Sequence, residues 1–293
     1  MRALLIVNPF STNVTEERLR EIEAILSPAR TVLTERPGHA TELTAGAADV
    51  DAIVVYGGDG SANEVLNGLP AGVPVGFLPG GGASVLARGL GLPRSPVAAA
   101  RRLREALDEG RTRRISVGRA NGRRFGFSAG IGFDAELVRR VDELGRAADG
   151  RRPGDLAFVR AAASLLARRR GRFEPALELQ GFGRAAFALV ANGDPYTYAG
   201  SLPVRVAPEA RFELGLDVVA PAEVSPLDVP RLLAYVLTGR GQAGAADLHY
   251  GHDLDRIDVR CDGPLPLQAD GEDLGDVEQA VFEAERGAVS VLI

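Results

Sequence analysis

Lysine is missing from the sequence: all 34 basic residues of the 293-residue chain are arginine. A P-loop of the Walker type places a lysine beside its glycines, and Schiff-base catalysis needs a lysine amine. Both kinds of site are therefore excluded. If this chain binds phosphate, the ligands are backbone N–H groups, arginine side chains or a metal ion.

Cysteine, tryptophan and long apolar runs are also scarce or absent. Cys261 is the single cysteine, which excludes a disulfide within the chain, and the first apolar run ends at Asn8-Pro9, too early for a secretion signal. We therefore expect a cytoplasmic protein. No stretch approaches the roughly 20 apolar residues that cross a bilayer, so any contact with the inner face of a membrane is expected to be peripheral.

An excess of positive charge is lacking as well. The formal net charge is −5 and the isoelectric point is about 5.4. Proteins that bind nucleic acid gain much of their affinity by neutralising phosphates over a basic surface. We therefore expect no nucleic-acid partner. The sequence leaves the oligomeric state open, with a homodimer as one of the alternatives.

The first half of the chain alternates short apolar runs with helical patterns, which is typical of a parallel α/β sheet. Residues 3–7 and 52–56 have the composition of buried strands, and residues 15–26 place their apolar side chains on one helix face. The other elements predicted in this half are a strand at 30–33 and helices at 39–48, after Gly60, after Gly82 and at 95–108.

Beyond residue 113 the pattern changes to strands, and Asn121-Gly122 between alternating segments indicates a hairpin turn. The length of the chain also favours two domains. We predict an α/β domain over 1–113 and a β-rich domain over 114–293, whose last strand returns to the first domain. Further strands are predicted at 176–180, 185–191, 216–220, 254–261, 266–269, 280–283 and 288–292, and helices at 134–144, 155–170 and 226–237.

A glycine-rich loop follows the strand at 52–56. It runs from Gly57 to Gly68 with the sequence GGDGSANEVLNG. Glycines at this place let backbone N–H groups approach an anion, and a helix that begins there directs its positive end at the same point. Asp59 within the loop would repel phosphate unless it holds a metal ion, and a magnesium nucleotide resolves this conflict.

A second loop, from Leu78 to Ser84, again joins an apolar strand to a helical pattern. Loops at the carboxyl ends of adjacent parallel strands lie side by side, where open α/β folds bind their ligands. Either loop alone is explained equally well as a tight turn, but the pair, one with a carboxylate, favours a nucleotide site. GxGxxG is absent from the first strand-helix junction, which disfavours a dinucleotide oxidoreductase.

These motifs resemble those of the diacylglycerol kinase catalytic family, which includes bacterial lipid kinases and the sphingosine and ceramide kinases. The segment Gly57–Gly68 is similar to the family's GGDGTxNEVxNG, with Ser61 in place of threonine. The resemblance extends over nearly the whole chain. The other matching segments are Asn8-Pro9, Gly130–Ala135, Ala207–Ala210 and Asp270-Gly271-Glu272.

The resemblance implies a fold class and an activity. The fold is α/β, with an N-terminal Rossmann-like, three-layer domain similar to NAD kinase and phosphofructokinase and a C-terminal β-sandwich domain. The activity is transfer of the γ-phosphate of ATP, with Mg²⁺, to a hydroxyl of a lipid substrate, diacylglycerol or a sphingoid-like lipid.

Roles for individual residues also follow from the resemblance. Glu272 would accept the proton of the lipid hydroxyl, and Asp59 would position Mg²⁺ or assist. The glycines of both loops would surround the phosphates. The residues implied in binding the nucleotide are Asn8, Thr34, Gly57, Gly58, Asp59, Gly60, Ser61, Asn63, Glu64, Gly80, Gly81, Gly82 and Ser84.

The second glycine loop departs from the family pattern. The family commonly reads GTxND there, whereas this chain has Gly82, Ser84 and Val85, without the threonine hydroxyl and the acidic side chain. The opening NPxSG is NPFST, and Leu214 replaces an acidic ligand of a second metal, which we do not predict. Two alternatives stay open: a kinase for a soluble acceptor, as in NAD kinases, and a nucleotide- or lipid-binding homologue without turnover.

Several polar residues have a simpler explanation beside the functional one. Without the resemblance, Glu272 is explained as part of an acidic turn, and Asp134 as the N-cap of a helix. His39, His249 and His252 have no cysteine or carboxylate at a spacing that would make a zinc site.

The segment 139–172 is rich in arginine, with ten arginines and four acidic residues. Its helix is expected to place Leu156, Val159, Ala163 and Leu166 on one side. Such a segment can rest on anionic lipid, or it can be a solvated helix whose arginines complement the helix dipole.

Overall fold

The computed structural model describes residues 1–47, 49–145 and 155–293, and they form two compact units. Unit 1 contains Met1–Ser116 and Arg286–Ile293, and unit 2 contains Val117–Glu285. The chain passes from unit 1 to unit 2 within one strand and returns within the last strand.

Unit 1 alternates strands and helices. In chain order its elements are β1 (Ala3–Val7), α1 (Glu16–Leu26), β2 (Arg30–Leu33), α2 (His39–Ala45), β3 (Ala52–Gly57), α3 (Asp59–Gly68), β4 (Val75–Pro79), α4 (Val85–Gly89), α5 (Pro96–Glu109) and the start of β5 (Thr112–Ala120). The strands are parallel, in the order β4-β3-β1-β2. Every residue of β1, β3 and β4 is buried, as expected for parallel strands covered on both faces.

Helices cover the sheet of unit 1 in two pairs. Helix α1 packs against α5, and α2 packs against α3. The Thr15 hydroxyl accepts a hydrogen bond from Arg18 N at the start of α1, and Ser95 does the same for α5 with Ala98 N. Gly110 ends α5 with a φ of +66°, a conformation that favours glycine. These local signals explain why the first half of the fold follows the sequence pattern closely.

Unit 2 consists mainly of strands. Its elements are the end of β5, β6 (Arg123–Phe125), β7 (Ser128–Ile131), α6 (Phe133–Glu143), α7 (Asp155–Arg168), β8 (Leu177–Leu179), β9 (Gly183–Ala185), β10 (Ala188–Ala191), β11 (Thr197–Ala199), β12 (Leu202–Val204), β13 (Leu216–Pro221), α8 (Val229–Thr238), β14 (Leu248–Leu254), β15 (Arg256–Ala269) and most of β16 (Glu272–Leu292). The strand order is β14-β13-β10-β7-β15-β16, and the registered pairs are antiparallel.

The core of unit 2 lies between its strands. Phe125 and Phe282 are fully buried in it, with apolar side chains from β7, β10, β13 and β15 around them. A Cβ atom at Gly118 would lie 2.0 Å from the Phe125 ring, so glycine makes room for this ring. Strands β11 and β12 form a separate pair, and α8 packs near β12.

Some predicted strand limits are wrong. The strand predicted at 185–191 is divided between β9 and β10, and the one predicted at 254–261 is divided between β14 and β15. The segments predicted at 266–269, 280–283 and 288–292 belong to the longer strands β15 and β16. In the described part of the chain, no helix is both long and apolar enough to cross a membrane.

Candidate active site

Four predicted nucleotide-binding residues follow the ends of parallel strands in unit 1. Val7 pairs with both Leu33 and Tyr56, and Gly57 pairs with Pro79. Asn8, Thr34, Gly58 and Gly80 come directly after these paired positions. The carboxyl edge of the sheet therefore brings together segments that are far apart in the sequence, and we call it the strand-end edge.

The two glycine loops touch each other backbone to backbone. A Cβ atom at Gly80 would lie 2.8 Å from Gly57 Cα, and one at Gly81 would lie 2.8 Å from Gly58 Cα. A Cβ atom at Gly57 would lie 2.7 Å from the Ser61 side chain. These glycines are thus required by the contact between the loops, a role that sequence reasoning did not assign to them.

Several amides of the predicted phosphate-binding loops already donate hydrogen bonds within the protein. Gly80 N donates to Gly57 O at 2.7 Å, Gly81 N to Ser84 Oγ at 3.2 Å, and Gly58 N to Ser11 Oγ at 3.2 Å. The Ser84 hydroxyl also donates to Gly81 O at 3.1 Å. The amides of Gly58, Gly80 and Gly81 therefore hold the loops together in this structure. The amino terminus of α3 is better placed than these amides to bind an anion.

Helix α3 begins at Asp59, so its amino terminus lies at the strand-end edge. The positive end of the helix dipole and the first-turn amides of Asp59, Gly60 and Ser61 face away from the helix body there. Asp59 Oδ1 accepts a hydrogen bond from Leu86 N, in the first turn of α4, at 3.2 Å. One carboxylate oxygen of Asp59 therefore fastens the second loop to the first.

A shallow recess lies at this edge of unit 1. Gly57, Gly58 and Asp59 line one side of it, and Pro79, Ser84 and Ala87 line another. A Cβ atom at Gly82 would meet nothing within 4 Å, so the tip of the second loop is open. A ligand that enters this recess meets both loops and the start of α3.

Ser61 and Asn63 lie on the buried side of α3. Ser61 Oγ accepts a hydrogen bond from Asn8 Nδ2 at 2.9 Å, which joins α3 to the end of β1. Asn63 is fully enclosed, and its Oδ1 accepts a hydrogen bond from Asn67 Nδ2 at 3.1 Å. Both side chains belong to the packing of the helix that carries Asp59.

The last part of the GGDGSANEVLNG motif joins α3 to α2. Glu64 Oε2 accepts a hydrogen bond from Ala40 N at 3.0 Å, and Glu64 O accepts one from Thr41 Oγ1 at 2.9 Å. A Cβ atom at Gly68 would lie 2.3 Å from Thr41 O. Glu64 and Gly68 thus hold two helices together and do not extend the anion site.

Sequence reasoning missed the polar residues of the loop after β1. Asn13 N donates to Gly80 O at 2.8 Å, and Asn13 Nδ2 donates to Gly81 O at 2.8 Å. The Tyr56 hydroxyl donates to Asn13 O at 2.7 Å, and burial raises the pKa of Tyr56 to about 12. Asn13 and Ser11 thus connect the loop after β1 to both glycine loops. Their only signal in the sequence is a position shortly after the first strand.

In unit 2, the Asp270-Gly271 segment forms a two-residue hairpin turn between β15 and β16. The φ angles are +49° at Asp270 and +77° at Gly271, and Ala269 pairs with Glu272 across the turn. Two central residues with positive φ define a type I′ turn, which Asp-Gly favours. The turn thereby fixes Glu272 as the first residue of β16.

The Asp270 carboxylate holds the backbone that precedes and starts β7. It accepts hydrogen bonds from Gly126 N at 2.6 Å, Phe127 N at 3.0 Å and Ser128 N at 3.2 Å. Asp270 is 4% exposed. Buried amides need acceptors, so the first residue of the DGE motif has a structural task that is independent of catalysis.

Glu272 lies on the surface side of the turn. Its Oε2 is 2.5 Å from Arg123 Nη2, and the two side chains are 33% and 38% exposed. A carboxylate with this exposure can meet a substrate, whereas Asp270 beside it cannot. The arginine fixes the orientation of Glu272 and is a partner that sequence reasoning did not find.

Asp134 is joined to the same turn through Gln268. Tyr196 OH donates to Asp134 Oδ2 at 2.7 Å, and Gln268 Nε2 donates to the same oxygen at 2.5 Å. Gln268 Oε1 accepts a hydrogen bond from Gly271 N at 2.9 Å. Burial raises the pKa of Asp134, while the hydrogen bonds from Tyr196 and Gln268 oppose this shift.

The predicted role of Asp134 as the N-cap of α6 is wrong, because Gly132 occupies that position and Asp134 lies inside the first turn.

The histidines do not form a metal centre with one another. His252 Nδ1 lies 2.9 Å from Asp217 Oδ1, His249 Nε2 lies 2.9 Å from Arg184 O, and His39 Nδ1 accepts a hydrogen bond from Glu35 N. Within the described residues, no three His, Cys, Asp or Glu side chains are grouped so that they could hold a metal ion.

The arginine-rich segment is only partly described. Arg146, Arg151 and Arg152, and the Leu156 side chain, lie outside the described residues. In α7, Leu165 is buried, whereas Val159 is 56% exposed. Val159, Ala163 and Leu166 all lie within α7 as predicted, and Val159 and Ala163 are exposed on their side of the helix.

The strand-end edge belongs to an α/β unit whose parallel strands are covered by helices. Residues 2–120 match the family model of the diacylglycerol kinase catalytic domain. Residues 2–120 are therefore similar to the diacylglycerol kinase catalytic domain, and the resemblance inferred from the motifs is confirmed for this part of the chain.

A diacylglycerol kinase of Bacillus subtilis (strain 168) is 34% identical to this chain over 150 residues, which are 48% of this chain and 48% of the relative. A diacylglycerol kinase of Staphylococcus saprophyticus is 31% identical over 134 residues, 42% of this chain and 43% of the relative. The chain spans about half the length of the curated relatives it matches.

Two solved structures are similar in fold over 99% of this chain. A diacylglycerol kinase from Bacillus anthracis has a TM-score of 0.69 at 20% identity and is covered over 96% of its length. An NAD kinase from Archaeoglobus fulgidus in complex with ATP has a TM-score of 0.56 at 16% identity and is covered over 93%. At these identities the likeness concerns the fold alone, and it confirms the predicted fold class.

Proposed function

We propose that this protein transfers the γ-phosphate of ATP to a hydroxyl of diacylglycerol or a related lipid. The observation that carries the proposal is the strand-end edge, where the amino terminus of α3, with Asp59, lies beside the second glycine loop. This edge belongs to the part of the chain that matches the diacylglycerol kinase catalytic domain. Phosphoryl transfer depends mainly on positioning and charge neutralisation, which such an edge supplies.

The triphosphate would bind at the start of α3. The positive end of the helix dipole favours an anion at this point. Gly82 leaves the tip of the second loop open, so the phosphates can approach the backbone there. Asn8, Ser11 and Asn13 would keep the loops in place through their hydrogen bonds.

The donor set at this edge fits a magnesium ion that arrives with the nucleotide. Mg²⁺ in nucleotide-dependent enzymes is held by one or two carboxylates together with the substrate phosphates. Asp59 supplies a carboxylate at the amino terminus of α3. When bound, Mg²⁺ would neutralise charge on the phosphates, while Asp59 holds its position through Leu86 N.

Glu272 is proposed as the general base. Its carboxylate would accept the proton of the lipid hydroxyl as that oxygen bonds to the γ-phosphorus and the bond between the γ-phosphorus and the bridging oxygen breaks, which releases ADP. The type I′ turn and the Arg123 partner restrict its position, and its partial exposure leaves it accessible to a substrate.

A soluble acceptor is the competing function, because an NAD kinase in complex with ATP is similar in fold. A panel of acceptors separates the two functions. Purified protein is incubated with γ-labelled ATP, Mg²⁺ and, in separate reactions, diacylglycerol, sphingosine, ceramide and NAD. We expect label on one of the lipids and none on NAD.

Transfer to NAD alone would overturn the lipid assignment. Binding of ATP without transfer to any acceptor would support a homologue without turnover. The reaction with ATP and no acceptor serves as the control, since hydrolysis by water gives labelled phosphate and no labelled lipid.

A further inference from the structure

Helix α8 has one packed face and one exposed face. Leu232, Tyr235 and Val236 pack against the buried cluster around Tyr196 and Val206. The opposite face carries large apolar side chains in the open: Leu227, just before the helix, is 89% exposed, Leu233 is 51% exposed and Leu237 is 48% exposed. We call the exposed residues Leu227, Pro230, Leu233, Ala234 and Leu237 the α8 outer face.

Hydrogen bonds fix both ends of α8, so the exposure of its outer face does not come from fraying of the helix. Asp228 accepts hydrogen bonds from Ser225 N and Oγ at 2.9 and 2.6 Å, and Arg231 bonds to Asp228 and Asp247. At the other end, Gln242 Nε2 donates to Tyr235 O at 3.0 Å. The helix is held at both ends, so its apolar outer face is a fixed surface.

Arginines without acidic partners lie at both ends of the α8 outer face. Arg240 follows the helix, and Arg168 and Arg172 lie at the end of α7; all three side chains are exposed, and none pairs with an acid in the described part of the chain. The end of α7 adjoins the start of α8, because a Cβ atom at Gly171 would lie 3.2 Å from Pro226 Cα.

Many other arginines of unit 2 are neutralised. Arg139 pairs with Asp273 and Asp276, Arg184 with Asp262, and Arg256 with Asp258 and Glu283. Although the net charge is −5, exposed arginines without acidic partners flank the apolar strip at its two ends. An apolar strip bordered by positive charge matches the interface of an anionic bilayer, where acyl chains lie beneath acidic headgroups.

We propose that the α8 outer face, with Arg168, Arg172 and Arg240, docks this protein on an anionic phospholipid bilayer. The choice of a membrane as the occupant rests on the proposed function, since diacylglycerol resides in bilayers. A second copy of this chain fits less well, because a twofold contact would bring the same arginines against one another.

Vesicle flotation tests the docking surface without any need for catalysis. The protein is mixed with vesicles of phosphatidylglycerol and phosphatidylcholine, or of phosphatidylcholine alone. We expect flotation with the anionic vesicles, weaker flotation with the neutral ones, and a decrease with added salt, because surface charges are screened. Absence of flotation with anionic vesicles would overturn the proposal.

Two variants locate the surface. Leu233→Glu should weaken binding to anionic vesicles by about tenfold, because a charge enters the apolar strip. The triple variant Arg168→Gln, Arg172→Gln and Arg240→Gln should weaken it on the order of a hundredfold, about fivefold for each arginine.

The controls change equally exposed residues elsewhere in unit 2. Leu144 is 65% exposed and follows the last residue of α6. The opposite end of α6 contacts the end of α7, through the hydrogen bond from Arg169 to Glu136. Leu144→Glu and Arg260→Gln should leave vesicle binding unchanged. If the controls weaken binding as much as the test variants, the surface is wrongly placed.

Further measurements separate this proposal from its alternatives. Thermal unfolding should be unchanged in all variants, since the altered side chains are exposed. If Leu233→Glu instead changes the molar mass in solution and wild-type protein does not float, the face is a dimer contact and the proposal fails.

Turnover separates docking from catalysis. With a short-chain diacylglycerol dispersed in detergent, the triple variant should keep wild-type turnover and lose it only on vesicles. Wild-type flotation without lipid phosphorylation would refute the proposed function and leave the docking surface intact.

Discussion

The strand-end edge of unit 1 and the Asp270–Glu272 turn of unit 2 are built in opposite ways. At the strand-end edge, Gly57 and Gly80 let two backbones meet because they have no side chain. At the turn, Asp270 holds three buried amides through its carboxylate. One motif thus depends on the absence of side chains, and the other depends on a buried carboxylate.

The comparison also separates carboxylates that lie close together in the sequence. Asp270 is 4% exposed and structural, whereas the Glu272 side chain is 33% exposed and available to a ligand. In unit 1, Asp59 combines both tasks, because it fastens α4 and also lies at the amino terminus of α3. We therefore expect changes at Asp270, Asp59 and Glu272 to have different effects.

The largest effect on stability is expected from Asp270→Ala. The amides of Gly126, Phe127 and Ser128 would lose their acceptor, which should lower the free energy of unfolding on the order of 4 kcal/mol. Urea denaturation measures this. Asp258→Ala, which removes a partly exposed, ion-paired carboxylate of the same unit, is the control and should change stability by less than about 1 kcal/mol. Equal stability of Asp270→Ala and wild type would contradict the structural role of this carboxylate.

In unit 1, the expected effect differs between two glycines of one loop. Gly80→Ala places a Cβ atom 2.8 Å from the Gly57 backbone and should lower the free energy of unfolding by about 2–3 kcal/mol. Gly82→Ala meets no atom within 4 Å and should change it by less than about 0.5 kcal/mol. Thermal or urea unfolding of both variants tests the loop contact. Equal losses would mean that the two loops do not touch as described.

A smaller effect, which depends on pH, is expected from Asp134→Asn. Because burial raises the pKa of Asp134, ionisation of this group costs stability, so its contribution is greatest below the usual pKa of 3.8 and is lost as pH rises through the raised value. Relative to wild type, Asp134→Asn should become more stable as the pH rises from about 4.5 to about 8, because only the wild-type carboxyl group ionises there. Urea denaturation across this range measures the difference. A difference that does not vary with pH would contradict the raised pKa.

The smallest change in stability is expected from Arg123→Gln. Partly exposed ion pairs contribute little, so the free energy of unfolding should fall by less than about 1 kcal/mol. Turnover should fall severalfold, because Glu272 loses the partner that orients it. Arg256→Gln, which breaks an exposed ion pair elsewhere in unit 2, should leave turnover unchanged. If both variants have the same kcat, Arg123 has no part in positioning Glu272.

The sequence predicted best those features that depend on neighbours along the chain. Strands β1 and β3 and helices α1 and α5 follow from apolar periodicity and from caps such as Thr15 and Ser95. The strands of unit 2 were predicted less well, because turns and bulges within antiparallel strands depend on the partner strand. The break between β14 and β15 is one example.

Contacts between distant segments could not be predicted from one sequence. Asn13 meets Gly81 across 68 positions, and Asp270 meets Gly126 across 144. Periodicity carries no information on such pairs. The motifs pointed to the strand-end edge and to Glu272, but they did not show which of their residues hold the helices together, as Asn63 and Glu64 do.

The most direct test of the proposed chemistry is the effect of Glu272→Gln on turnover and on nucleotide affinity, measured side by side. Glu283→Gln, the same change at a partly exposed, arginine-paired position of the same strand, is the matched control. Loss of the general base should lower kcat by roughly 10²–10⁴-fold, while calorimetry should give a dissociation constant for the magnesium nucleotide that is nearly unchanged. A wild-type kcat in Glu272→Gln would contradict the account.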